Sequence, residues 1–251
     1  MVLLMEDCSF FSVSMGILFR RSLQRYKFAF SSNLHPMNPY LHRLILEGEH
    51  QQLDFKVEIS DSRKIARSMV AFANATGGRL LIGVKDGGGI AGVRSDEEIY
   101  MLKIAVTKFC KPRLQFEVRK WQSGKKMVVE VIIPEGNRKP YFCLEEDERW
   151  KAYIRVKDQN ILVEKIVLKV WERQKQAAAT LVRYSHVEEW LVQHLELHPS
   201  INSAAFSHMA GIPPFVAEKV LVNLTCMNLL QMTIDEHGTF FSINKEGFQD
   251  Y

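Results

Sequence analysis

Residues 52–84 contain two strand patterns separated by a helical pattern, and this arrangement restricts the folds that the chain can adopt. Residues 52–59 alternate strictly between polar and apolar side chains, as in a strand with one face in the core and the other in solvent. Residues 61–78 place apolar side chains at helical spacing, with Asp61 or Ser62 as the cap and two glycines at the end. Residues 79–84 are almost continuously apolar, which is typical of an interior strand. The sequence therefore predicts a strand, a helix and a second strand beside the first.

Further patterns extend this unit to an α+β domain with a mixed sheet. A short helix is predicted to end near Gly48, and the helix after the glycine-rich turn is predicted to be capped by Asp96. The remaining predictions for this domain are two strands joined by a hairpin turn, one more strand and a long helix. They lie at residues 114–120, 127–133, 149–156 and 164–183.

The charged residues divide the chain into segments of different character. Residues 1–36 contain 4 Lys and Arg against 2 Asp and Glu, residues 37–183 contain 27 against 19, and residues 184–251 contain 2 against 8. The modest formal net charge of +4 therefore combines a basic middle with an acidic end. Such a division suggests two units with different partners. We expect a domain at residues 37–160, a linker helix at residues 161–183 and a second domain at residues 184–251.

Residues 184–251 carry the pattern of a small winged helix-turn-helix domain. Its three predicted helices and the turn of its terminal hairpin lie at residues 186–197, 203–210, 213–227 and 235–238. A recognition helix normally offers basic and amide side chains to DNA, but this third helix offers only Glu218, Lys219 and Asn223 in an acidic segment. We therefore expect this domain to bind a protein partner or a second copy of the chain, with direct DNA reading as the alternative.

Residues 1–36 are expected to be an extension outside the folded part, because they show no clear amphipathic period. Their apolar stretch from Cys8 to Phe19 follows two acids and precedes two arginines, which reverses the charge order of a signal peptide. Our interpretation is that the start was assigned too far upstream and that Met37 is the true first residue. A membrane-associating or targeting segment is the alternative.

The rest of the chain predicts a cytoplasmic protein without a membrane partner. Residues 37–251 contain no apolar run near the roughly 18 residues that span a bilayer. The 4 cysteines are widely scattered and have no zinc-ligand spacing, so we expect them to be free thiols.

Three acids are candidates for a metal site. Asp54 lies on the polar face of the first predicted strand, Glu49 precedes it, and Asp86 ends the neighbouring apolar strand. Carboxylates that meet at one sheet edge repel one another unless a cation intervenes, so this cluster favours a divalent metal. Lys56 shares the face of Asp54 and could hold a phosphate. Against this interpretation, polar residues on such a strand are usually solvated and an Asp before glycines usually forms a turn.

Four motifs in order resemble the Schlafen AlbA-type domain. They are Glu49-x4-Asp54-Phe-Lys56, Ala71-Phe-Ala-Asn74-x2-Gly-Gly78, Leu81-Ile-Gly-Val-x-Asp86-x3-Ile90-x-Gly92 and Tyr153-Ile-Arg155. The resemblance covers residues 40–160, is closest to the bacterial single-module kind, and implies a DNA-binding domain that is often followed by a winged helix. In animal Schlafens the related domain cleaves RNA, and its three acids correspond to Glu49, Asp54 and Asp86. The resemblance thereby implies catalytic and metal-binding roles for these acids, with Mg²⁺ or Mn²⁺ as cofactor.

Two features depart from that family pattern. The usual Glu before Phe-Lys is Asp54 here, which is one methylene shorter. The animal nucleases also enclose a duplex between duplicated modules, whereas this chain carries one module and would need to dimerise to match them. Whether the chain is an enzyme therefore stays open.

The basic residues of the middle segment point to nucleic acid as the partner. Many of them lie near predicted turns and strand ends, where they could contact phosphates. The residues that we select for binding DNA or RNA are Lys56, Arg63, Lys64, Arg67, Lys85, Arg155 and Lys157. The leading hypothesis is a nucleic-acid-binding regulator with no certain cofactor. A metal-dependent endoribonuclease acting on structured RNA such as tRNA is the first alternative, and a protein-interaction adaptor is the second.

Overall fold

The structure is a computed structural model that describes residues 38–176 and 185–246. The helices and strands of these residues are, in chain order, α1 (Pro39–Glu47), β1 (Leu53–Lys56), α2 (Ser62–Asn74), β2 (Gly78–Ile82), α3 (Ser95–Lys108), β3 (Cys110–Lys111), β4 (Glu117–Ser123), β5 (Lys126–Ile133), β6 (Phe142–Leu144), β7 (Trp150–Lys151), β8 (Tyr153–Val156), β9 (Gln159–Leu162), α4 (Lys165–Lys175), α5 (His186–Leu197), α6 (Ser203–Met209), α7 (Pro214–Cys226), β10 (Leu230–Asp235) and β11 (Gly238–Ile243). The extension predicted at residues 1–36 lies outside the described residues.

The largest sheet has four strands in the order β1, β2, β5 and β4. β1 and β2 are parallel, with Leu53 opposite Arg79, whereas β5 is antiparallel to both of its neighbours. A parallel pair needs a crossover connection, and α2 provides it. The structure therefore confirms an α+β architecture with a mixed sheet, and it confirms that the first two predicted strands lie side by side.

Both faces of this sheet are covered by helices. α2 and α3 pack on one face, where Met69, Phe72 and Leu102 are fully buried. α1 packs on the other face, where Leu41 and Leu44 belong to a second buried cluster. Gly48 directly after α1 has a φ of 71°, which glycine adopts without a steric penalty, and the chain turns there toward β1.

The predicted cap of α2 is confirmed and that of α3 is wrong. The Asp61 side chain accepts a hydrogen bond from the backbone N–H of Arg63 at 2.7 Å, which satisfies one of the free donors of the first turn. In α3 the cap position is Arg94, and its side chain makes no capping hydrogen bond. Asp96 instead lies within the first turn, where a negative charge stabilises the helix dipole, and pairs with Lys120.

The strand β1 is buried on both faces, so the prediction of a half-exposed strand is wrong. The hairpin of β8 and β9 brings Arg155 against β1, and Asp54 on the supposedly solvated face is only 4% exposed. Residues 149–156 form two strands in different small sheets instead of one. β9 was not predicted, and its last two residues, 161 and 162, fall in the segment that the sequence assigned to the linker helix. Local alternation does not report these contacts, because the covering hairpin comes from a distant part of the chain.

The second half of the described chain consists of α4, three further helices and an antiparallel hairpin. α4 begins at Lys165 and ends at Lys175, and the last residues of the predicted linker helix, 177–183, lie outside the described residues. The buried side chains of α4, Ile166, Val167 and Val170, belong to the same core cluster as those of α5, α6 and α7. By its packing, α4 is therefore part of the C-terminal unit. The winged-helix assignment of that unit stays a prediction.

The described residues contain no helix that is long and apolar enough to cross a membrane.

Candidate nucleic-acid interface

Glu49 and Asp54 meet at β1, as the sequence predicts for two of the three acids. The turn after Gly48 places Glu49 beside the strand, where its carboxylate accepts a hydrogen bond from the backbone N–H of Phe55 at 2.9 Å. The Glu49 and Asp54 carboxyl groups also lie close enough to interact, so that Asp54 stabilises a proton on Glu49. Burial, followed by the interaction with Asp54, raises the pKa of Glu49. This environment therefore favours a proton on the Glu49 side of the pair.

Arg155 is the buried partner of Asp54. Its side chain is 1% exposed, and its Nη2 lies 3.3 Å from the Oδ1 atom of Asp54. Nη1 donates to the Asn160 side chain at 3.2 Å, and the guanidinium lies over the ring of Phe72. An interior guanidinium is stable only with such partners, because its transfer out of water is costly. The structure therefore places Arg155 in the interior, where it fixes β1 to β8 and does not face a phosphate at the surface.

Lys56 is the second cation of Asp54. Its Nζ lies 2.7 Å from the Oδ2 atom of Asp54, and it donates to the Phe55 carbonyl at 2.8 Å. The Lys56 side chain is 38% exposed, so it lies at the boundary between the buried pair and solvent. The Asp54 carboxylate thus has one buried and one half-exposed cationic partner.

Asp86 does not join the other two acids. It is exposed in the glycine-rich turn after β2, and Lys85 beside it is exposed as well. Within residues 38–176 and 185–246, no group of three or more His, Cys, Asp and Glu side chains could hold a metal ion. Both oxygens of Asp54 already face cations. The acids therefore do not fit the predicted Mg²⁺ or Mn²⁺ site in this arrangement.

The other cations selected from the sequence fall into two groups. Lys64 on α2 and Lys85 are exposed, and neither has a carboxylate at ion-pair distance among the described residues. The other three have acidic partners. Arg67 makes a bidentate contact with the buried Glu145, Arg63 lies 3.4 Å from Glu148, and Lys157 lies 2.9 Å from Glu236 of the C-terminal unit. Sequence composition counts all of these as free positive charge, although much of it is neutralised.

The exposed cations without a carboxylate partner are distributed over the whole N-terminal domain. In the described part of that domain, the exposed members of this group are Lys64, Lys85, Lys103, Lys108, Lys111, Arg113, Lys125, Lys126, Arg138 and Arg149. Arg113 and Arg138 are among the basic residues near predicted turns and strand ends, but neither they nor Lys103 were selected from the sequence as binding residues. These cations differ from Arg67 and Arg155 because they have no carboxylate partner in the folded structure. A single sequence does not reveal which cations are paired in this way.

Residues 49–164, somewhat less than half of the chain, match the family model described as Schlafen, AlbA_2, which supports the resemblance seen in the four motifs. No curated protein matches the chain. The chain is similar to the solved structure of the DIP2311 protein from Corynebacterium diphtheriae, at 15% identity and a TM-score of 0.38, over 78% of this chain and 34% of that one. It therefore spans about a third of the length of that protein. It is also similar to the N-terminal domain of an ATP-dependent DNA helicase RecG-related protein from Nitrosomonas europaea. That similarity has 22% identity and a TM-score of 0.35, over 50% of this chain and 95% of the domain.

Proposed function

We propose that this protein binds DNA or RNA through the phosphate groups, using its Schlafen AlbA-like domain, and acts as a regulator. The observation that carries the proposal is the set of exposed cations without acidic partners that surrounds this domain, together with its family match. Such cations release counterions from a nucleic acid backbone, which supplies binding energy that is independent of sequence. The internally paired cations, such as Arg67 and Arg155, stabilise the fold instead.

The packing of the C-terminal unit favours a role in assembly over a role in reading DNA. In α7, which corresponds to the predicted recognition helix, Ala217, Val220, Leu221 and Leu224 are buried. α4 packs along this helix, and Lys169 of α4 forms an ion pair with Glu218. A helix covered in this way has little free surface to place in a DNA groove.

In the described part of this unit, three large apolar side chains are exposed, namely Leu197, Met209 and Phe215. Met209 at the end of α6 is 53% exposed, and Phe215 at the start of α7 is 71% exposed. A protein partner or a second copy of the chain would gain by burying them. We therefore assign the role of assembly to this part of the surface, and light scattering of the wild type and a Phe215→Ser variant tests it.

The test of nucleic-acid binding uses the full chain with labelled DNA and RNA in single-stranded and duplex form. We expect binding at about 50 mM salt that weakens by one or more orders of magnitude at about 200 mM, because phosphate contacts are lost with rising salt. Fluorescence anisotropy gives the affinities. Absence of binding to every probe at the lower salt concentration would contradict the proposal.

The pairing of Glu49 with Asp54 beside Lys56 is the one observation that favours the endoribonuclease as a second candidate. Incubation of the full chain with tRNA and Mn²⁺, beside a Glu49→Ala/Asp86→Ala variant, distinguishes the two functions. Cleavage that the variant loses would support the enzyme. Binding without cleavage supports the regulator, and cleavage that the variant retains unchanged would exclude these acids as its source.

A further inference from the structure

Two adjoining cavities lie on either side of the segment 112–116, which connects β3 to β4. One has a volume of about 540 Å³ and the other of about 320 Å³. Arg113, Leu114, Gln115 and Pro134 line both cavities, so this short segment forms the ridge between them. Glu49, Asp54 and Lys56 line neither of them, so this is a different place from the site predicted by the motifs.

We propose that the two cavities bind a single-stranded nucleic acid, with one base in each cavity and the phosphate that connects them at Arg113. The proposal rests on the proposed function and gives it a location and a substrate class. In a nucleic acid strand, consecutive bases are joined through one phosphate. The arrangement of Arg113 between two cavities matches this order of base, phosphate and base.

The charges of the cavities suit a polyanion. Lys103 of α3 lines the first cavity and Arg138 lines the second, so with Arg113 the cations follow one another across the ridge. All three are exposed and have no carboxylate at ion-pair distance among the described residues. The array can therefore accept phosphates without first breaking an ion pair.

Each cavity also contains one acid, and both acids are already paired. Glu117 in the first cavity lies 3.6 Å from Arg119, and Glu135 in the second lies 2.7 Å from Lys139. The partners of these acids add two more positive charges to the surroundings. Cations therefore outnumber carboxylates around both cavities, and the local field attracts phosphate.

The cavity walls favour single strands over a duplex. Val106, Phe116 and Ile132 line the first cavity, and the buried ring of Tyr141 lines the second. Apolar and aromatic side chains bind the flat faces of unpaired bases with little sequence preference. In a duplex those faces are stacked inside the helix, so a duplex would contact the cations at the rim and leave the apolar walls empty.

The test measures binding of the full-length protein to a labelled single strand of about 12 nucleotides and to the matching duplex. The cavity variant is Lys103→Gln/Arg113→Gln. The control variant is Lys165→Gln/Lys175→Gln, which removes the same charge from two exposed lysines outside both cavities. Both lysines lie on α4, whose buried side chains belong to the core of the C-terminal unit. Thermal unfolding checks that each variant is folded.

For the single strand, we expect the cavity variant to lose affinity and its slope of log K against log salt to decrease by about 0.7 for each cation removed. The control variant should keep nearly the wild-type affinity and slope. A Phe116→Leu variant, which keeps an apolar side chain but loses the ring, should weaken single-strand binding about fivefold and leave duplex binding unchanged.

Two results would overturn the inference while leaving the proposed function intact. One is a wild-type protein that binds a single strand, with unchanged affinity and slope in the cavity variant. The other is a duplex that binds as tightly as the single strand and responds equally to the cavity variant. Failure of the wild type to bind either probe would instead overturn the proposed function, and this inference with it.

Discussion

The carboxylate of Asp54 is tightly constrained by its surroundings, because it is ionisable and only 4% exposed. Its transfer out of water is costly unless charge and hydrogen bonds compensate. Arg155 compensates from the interior at 3.3 Å, and Lys56 from the boundary with solvent at 2.7 Å. The pair of Asp54 and Arg155 therefore holds the β8–β9 hairpin against the sheet, and the same two residues appear in the family motifs.

Replacing Arg155 by Ala should destabilise the protein by about 3–5 kcal/mol, because Asp54 would remain buried without its main partner. Lys56→Ala is the matched control and should cost about 1 kcal/mol or less, because the Lys56 side chain is 38% exposed. Urea denaturation of both variants measures the difference in unfolding free energy. An Arg155→Ala/Asp54→Asn double variant should recover part of the loss, and equal costs for the two single variants would contradict this account of the pair.

Glu49 makes stability depend on pH in a defined direction. Burial and the interaction with Asp54 raise its pKa, so the folded protein keeps a proton that the unfolded chain releases above about pH 4.5. This contribution is fully present below that pH and is lost as the pH rises through the raised pKa. Glu49→Gln imitates the protonated form at every pH. The stability of this variant relative to the wild type should therefore increase between pH 4 and pH 7, as measured by urea denaturation.

The control for this measurement is Glu146→Gln, which removes the same charge at an exposed position. Its stability relative to the wild type should change less over the same pH interval. A Glu49→Gln variant whose relative stability stays constant, or falls as the pH rises, would contradict the raised pKa of Glu49.

At the scale of elements, the helix starts provide a direct test of local sequence signals. Asp61 caps α2 through a 2.7 Å hydrogen bond, whereas Asp96 caps nothing and pairs with Lys120 at the surface. We expect Asp61→Ala to cost about 1 kcal/mol of stability and Asp96→Ala only a few tenths. Thermal unfolding of the two variants measures this difference. Equal effects would show that the cap contributes no more than a surface charge.

The elements that the sequence predicted well are those whose own residues carry a long enough pattern. β2, β5 and the helices α5, α6 and α7 lie within one or two residues of their predicted positions, because hydrophobic periodicity over five or more residues reports burial directly. β3 and β7 have two residues each and carry no period at all. β9 follows β8 after a two-residue turn at Lys157 and Asp158, and the sequence predicted neither this turn nor the strand after it.

The candidate site was predicted less well than the fold, because its properties depend on contacts between distant residues. Asp54 and Arg155 are 101 positions apart, so nothing near Asp54 in the sequence indicates that it is buried. Arg67 has a strong partner 78 positions away in Glu145. A count of basic residues treats such paired cations and the unpaired Arg113 alike.

For the whole molecule, the division of charge does not coincide with the division of the core. The basic domain and the acidic C-terminal unit meet through ion pairs such as Lys157 with Glu236, which lies 2.9 Å away. Beneath this surface, Ala152 and Val163 of the domain belong to the same buried cluster as α4 and the C-terminal helices. The two units therefore share apolar packing even if they bind different partners.

This shared core predicts that a chain ending at residue 183 is defective although it keeps every residue of the proposed binding cavities. The truncation would expose Ile166, Val167 and Val170, which are at most 4% exposed in the complete structure. We expect the truncated protein to self-associate and the amides of α4 to lose protection, because a short helix depends on packing of its apolar face. Light scattering and hydrogen exchange measure these effects.

An Ile166→Ala variant of the full chain tests the same packing without truncation, and it should cost about 2–5 kcal/mol through the cavity that it creates. In the truncated chain, replacing Ile166, Val167 and Val170 by Gln should restore a monomer, because these substitutions remove the apolar surface that the truncation exposes. A truncated protein that stays monomeric, with α4 amides as protected as in the full chain, would show that α4 is stable without the C-terminal unit. In that case the domain boundary would follow the charge pattern instead of the core.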